Sequence, residues 1–155
     1  MSFDNSQMTY GHLVTYPSVW LPPANTVKVL LLSHNDSLAQ EYISHVQHQY
    51  PTIDWAFYLV PDSPPYTKEQ VDWIWINHFH MNAVIANAQD AFNIAIVVSI
   101  TQCLRYVIRG EQETVNSLAE FANIPVYDNA PVIFQHMVQE LVKQKIIGAD
   151  PCQQI

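Results

Sequence analysis

Chemistry-bearing side chains gather in a few short stretches of this chain. The first is Ser33-His34-Asn35-Asp36-Ser37, a polar turn between an apolar run and a helical pattern. A turn of that kind holds phosphate in many nucleotide-binding proteins, because amides at a helix N-terminus point at the anion. Close approach of the backbone requires glycine, often at positive φ. The whole chain has three glycines, Gly11, Gly110 and Gly148, and none lies in this turn. It contains neither G-x-G-x-x-G nor a P-loop, and Asp36 would repel a phosphate. Ser, Asn and Asp at these positions fit helix capping instead.

Histidine offers a second chemistry. His45 and His48 lie three apart, and His78 and His80 flank Phe79. A zinc site needs three or four ligands with a thiolate or carboxylate nearby. No H-E-x-x-H is present, and the two residues of His-Phe-His near a helix end point in different directions. Ser33 and His34 adjoin without a G-x-S-x-G elbow. Cys103, in or beside an apolar segment, reads as a small buried hydrophobe. No catalytic residue, metal or cofactor is expected.

The elements that position these residues follow from periodicity. Residues 1–25 stand apart. Pro17, Pro22 and Pro23 break helices and ladders, while Tyr16, Val19, Trp20 and Leu21 are costly to leave in water. The segment reads as an extended arm on a surface, its own or a partner's. Val27–Leu32 suits a strand buried on both faces. Ser37–Gln49 repeats Leu38, Tyr42, Ile43 and Val46 at helical spacing. The stretch "IDWAFYLV" is a second strand. Thr67 to Gln70 is a capping box that opens a helix carrying Val71, Ile74, Trp75 and Phe79. Trp55, Trp73 and Trp75 are expected in the core or between helix and sheet.

"NAVIANA" reads as a third strand. "FNIAIVVSI" has strand composition but follows too closely for a parallel crossover, which takes a dozen or more residues. Either it is a β-branched helix capped by Asp90 and followed by the strand "LRYVI", or the preceding helix continues and it is the strand. Even spacing favours the helix. "QETVNSLAEFAN" is then a helix, "IPVYDN" a short strand, and Ala130–Gln144 a closing helix with Pro131 in its first turn. The prediction is an α/β chain, a three-layer flavodoxin-like or Rossmann-like sandwich with a mostly parallel sheet of about five strands. The α/β domain spans 26–147, and 148–155 form a polar tail.

In such folds ligands lie beyond the carboxyl ends of the strands. Ser33, His34, Asn35, Asp62, Asn87, Asp90 and Asp128 are the candidate contacts for a nucleoside or nucleotide, with a carboxylate as general base. Their types equally suit caps and turns. The stretch Trp73 to Ile100, "WIWINHFHMNAVIANAQDAFNIAIVVSI", resembles the middle of the nucleoside 2-deoxyribosyltransferase group over about a fifth of the chain. The resemblance implies a helix, a strand ending near an acidic turn, and a helix bearing a catalytic glutamate. The Asp-Ser-Gly-Thr-type turn of that group is absent, and Asn93 and Ile94 stand where the glutamate would be. The likeness therefore implies architecture rather than activity.

Composition narrows the function classes. Charged residues make up 13% of the chain, half the usual share of about 25%. The formal charge is −8, with six Lys and Arg, so no basic surface for nucleic acid or an anionic membrane can be assembled. The N-terminus lacks a signal-peptide pattern, no apolar run approaches the ~20 residues of a membrane span, and two cysteines make no disulfide framework. A cytoplasmic setting is the default. The leading expectation is a non-catalytic interaction protein, a structural or assembly component of a larger complex such as a virus particle. Its contacts with protein partners or further copies would run through Tyr16, Val19, Trp20 and Leu21. The alternatives are the small-molecule enzyme or sensor above, and an acidic inhibitor of a basic host protein.

Overall fold

Val27 to Leu32 are buried on both faces, as a central strand of a parallel sheet requires. The computed structural model describes residues 12–19, 22, 25–33, 36–61, 66–87 and 91–147. Within them the chain runs β1 (His12–Thr15), β2 (Val27–Ser33), α1 (Asp36–Gln49), β3 (Trp55–Pro61), α2 (Lys68–His78) and β4 (Ala83–Asn87). It continues through α3 (Ala91–Ile100), β5 (Leu104–Ile108), α4 (Glu113–Phe121), β6 (Val126–Tyr127) and α5 (Ala130–Lys143). The six strands form one sheet in the order β1-β3-β2-β4-β5-β6, and every pairing is parallel. The protein is a three-layer α/β sandwich of the Rossmann and flavodoxin type.

The sheet has six strands where about five were expected. The extra one is β1, from the stretch read as an extended arm, which pairs with β3 from His12↔Ala56 to Thr15↔Leu59. Four residues flanked by a proline-containing segment carry too little alternation to announce a strand. The ladder of β3 supplies its order instead, and Tyr16 N–H continues it by donating to Leu59 O at 2.9 Å.

Side chains alternate along each strand, so the sheet divides two cores. On one face Val29, Leu31, Trp55, Phe57 and Ile85 meet Tyr42, Ile43 and Val46 of α1 and Ile133, Phe134 and Met137 of α5. Phe134 is the hub, with ring centroids 6.1 Å from Trp55 and 6.2 Å from Phe57. On the other face Leu30, Leu32, Tyr58 and Val84 pack on Trp73 and Ile74 of α2, Ile94 of α3, and Val115 and Ala119 of α4. Each Val, Leu, Ile, Phe or Met among them, fully buried, stabilises the fold by about 1.5–3 kcal/mol.

The ambiguous stretch is helical. Between Asn87 and Leu104 a parallel crossover must fit, and α3 is that crossover despite its β-branched residues. Asp90, its expected cap, lies outside the described residues. The Thr67 capping box is formed: Gln70 N–H donates to Thr67 Oγ1 at 3.2 Å and Thr67 N–H to Gln70 Oε1 at 3.0 Å. Which face of α2 is buried departs from expectation. Trp73, Ile74, Asn77 and His78 turn inward, while Trp75 and Phe79 are exposed. Tryptophans at positions 73 and 75 lie about 200° apart on a helix, so only one of them can face the sheet.

Candidate functional site

The first crossover leaves β2 toward β3, and the second returns past it to β4. The strand order therefore switches direction between β2 and β4, whose last residues, Ser33 and Asn87, are register partners. At such a point the connections diverge and leave a crevice beyond the strand ends.

A cleft of about 450 Å³ opens there, between α1 and the start of α5. Its lining comprises Glu41, Tyr42 and His45 of α1, Asn87 and Ile108 at the ends of β4 and β5, and Asp128, Asn129, Ala130 and Pro131 leading into α5. Residues 41, 42 and 45 share the wall because i, i+1 and i+4 lie on adjoining faces of one helical turn. Asn87 is buried and hydrogen-bonds the side chain of Tyr42. Burial, reinforced by the Glu41 carboxylate, raises the Tyr42 phenol well above its ordinary value, against the Asn87 bond. Tyr42 thus stays a protonated hydroxyl at any physiological pH. His45 stacks on Phe134 at 6.0 Å, and burial together with His48 lowers its pKa, favouring the neutral ring.

The far wall is held by local bonds. Arg109 Nε lies 3.1 Å from Asp128 Oδ1, an exposed pair that orients more than it stabilises. Asn129 caps α5, its Oδ1 accepting from Val132 N–H at 3.1 Å. Beside it, Gly110 N–H donates to Asn116 Oδ1 at 3.0 Å and Asn116 Nδ2 donates to Gly110 O at 2.9 Å. These two hydrogen bonds fix the loop between β5 and α4.

Of the expected ligand contacts, Asn87 and Asp128 meet in the cleft. Ser33 ends β2, and His34, Asn35, Asp62 and Asp90 lie outside the described residues. Sequence reasoning missed Glu41, Tyr42 and His45. Their spacing on the helix after β2 is a usable signal, but the helical pattern marks Tyr42 only as core and the histidine pair marks His45 only as a metal candidate. Asn93 and Ile94, at the position of the transferase glutamate, are both fully buried.

A second hollow of about 380 Å³ lies beside the start of β5, lined in part by Cys103, Arg105, Tyr106, Tyr127, His136 and Glu140. Tyr127 and His136 are hydrogen-bonded at 2.7 Å between Oη and Nδ1. Burial pushes the Cys103 thiol up to about 11 and Tyr106 up to about 12. Neither is poised as a nucleophile or base at neutral pH, and the hollow sits at the end of the sheet where α/β ligands are not usually found.

Of the partner residues, Tyr16 packs edge-on against Trp73 at 5.7 Å, Val19 is 83% exposed, and Trp20 and Leu21 lie outside the described residues. Among the described residues no group of three His, Cys, Asp or Glu could hold a metal ion, and no helix is long and apolar enough to cross a membrane. Fold and cleft define a parallel α/β protein with a crevice at its switch point. No protein-family model matches the chain, and no curated protein matches it.

Proposed function

We propose that the protein works by interaction, as a non-catalytic α/β component of a larger assembly, a virus particle being one such setting. The observation that carries this reading is the outer face of α2. Trp75 is 46%, Ile76 60% and Phe79 64% exposed, within little more than one helical turn. Single apolar residues on a surface need no explanation, but grouped large ones mark contact sites. Val19, next to Ser18, is a further exposed apolar residue at 83%. Light scattering across a concentration series tests the reading. A mass above the monomer, or a partner that co-purifies, is expected, and both should be lost in a Trp75→Ser/Phe79→Ser variant. A strict monomer without a partner at high concentration sinks it.

A second reading is a small-molecule sensor or enzyme that holds a nucleoside or nucleotide at the strand ends. It is supported by the cleft in which Asn87 and Asp128 meet. A ligand well above its Kd raises the melting temperature by mass action, so a thermal-shift screen of nucleosides and nucleotides tests it.

A further inference from the structure

Resting on that second reading, we infer that the cleft takes an unphosphorylated ring compound of nucleoside size, its donor groups facing Glu41 and Asp128, and discriminates against the matching nucleotide. The volume of about 450 Å³ lies in the lower part of the ~300–1,000 Å³ range of small-molecule sites.

Charge decides what enters. Among the described residues, the side chains that line the cleft include two carboxylates and no Lys or Arg. The nearest arginine, Arg109, is already held by Asp128. A phosphate would meet the Glu41 carboxylate while the Arg109 guanidinium is engaged by Asp128, whereas an exocyclic amine or ring N–H finds acceptors.

The start of α5 does not reverse this. A helix N-terminus attracts anions through its unbonded N–H groups. Here Pro131 has no N–H. Val132 N–H already donates to Asn129 Oδ1, and Ile133 N–H to Asn129 O at 3.5 Å. Most of the donors an anion would use are absent or occupied.

The remaining surfaces suit a flat, polar ring. Ile108, Ala130 and Pro131 supply apolar contact, and the His45 ring is braced from behind by Phe134. The Tyr42 hydroxyl and the Asn87 amide, fixed to each other, add polar groups that need no reorganisation on binding.

Calorimetric titration of the full chain with adenosine, cytidine and their 5′-monophosphates tests the inference. A nucleoside is expected to bind at least tenfold tighter than its monophosphate at low salt. A Glu41→Gln/Asp128→Asn variant should narrow that gap at least threefold. Glu41 is exposed, so the fold tolerates its change. Amide chemical shifts at Tyr42, Asn87 and Ile108 should move with the nucleoside. Equal or tighter binding of the monophosphate overturns the inference while leaving the small-molecule reading standing, as does a gap unchanged in the variant. Silence from all four compounds to millimolar concentration overturns both.

Discussion

Trp73 Nε1 donates a hydrogen bond to the carbonyl oxygen of Ser18 at 3.0 Å, across 55 positions of sequence. The bond ties the segment after β1 to α2, and the edge contact between Tyr16 and Trp73 reinforces it. One buried indole thus does two things: its ring fills the core under α2, and its N–H anchors the N-terminal segment. Trp73→Phe keeps much of the ring and removes the donor. A net hydrogen bond contributes about 0.5–1.5 kcal/mol, and the smaller ring adds a packing loss. The expected result is a lower urea midpoint together with faster protease cleavage within residues 12–19. Unchanged cleavage would show that β1 pairing alone holds the segment.

Asn116 is buried and bonds both backbone groups of Gly110. Asn116→Ala leaves the partly buried amide and carbonyl of Gly110 without this partner, and each loses a hydrogen bond whose net contribution is about 0.5–1.5 kcal/mol. Destabilisation of about 1–3 kcal/mol is expected by chemical denaturation. Asn116→Asp should recover little, because a carboxylate accepts from Gly110 N–H but cannot donate to Gly110 O.

His78 gives stability a pH dependence. It is buried with its ring against those of Trp75 and Phe79, its Nε2 has no hydrogen-bond partner, and burial lowers its pKa. Burial lowers that of His45 as well. A base whose folded pKa is depressed takes up protons preferentially when unfolded. Stability is therefore at its full value above the ordinary histidine pKa of about 6.5 and falls as pH drops below it, until the folded-state pKa is passed. Denaturation midpoints measured at pH 7.5 and 5.5 should show the loss, and His78→Phe should flatten the difference. An equal slope in that variant would assign the effect elsewhere.

Cys103 should behave as a core residue. Burial raises its thiol to about 11, so thiolate is scarce at pH 8. Peptide mapping after iodoacetamide treatment is expected to find Cys103 labelled much more slowly in the folded chain than in urea. Fast labelling of the native protein would mean that the segment between α3 and β5 opens readily.

Much of the architecture was legible because strand and helix periods differ and the connections are regular. Val27–Leu32 declared a doubly buried strand, Thr67 and Gln70 declared a helix start, and the spacing from Asn87 to Leu104 left room for a crossover helix. Legibility failed where local pattern is degenerate. β1 has four residues and draws its order from β3. The pattern of α2 could not say whether Trp73 or Trp75 faces the sheet, because both are equally apolar and only the packing of Tyr16, Tyr58 and Ile74 selects one.

The candidate site shows the same division. That Asn87 and Asp128 stand at strand ends follows from an alternating α/β pattern read along the chain. That Glu41, Tyr42 and His45 line the same cleft as those residues was decided only when the strand order was set, since pairing β2 with both β3 and β4 is what brings α1 beside α5. Amino-acid order specifies which side chains an element carries, because periodicity is local. Which elements become neighbours depends on long-range burial of both sheet faces at once, and that condition is met only by the assembled tertiary structure.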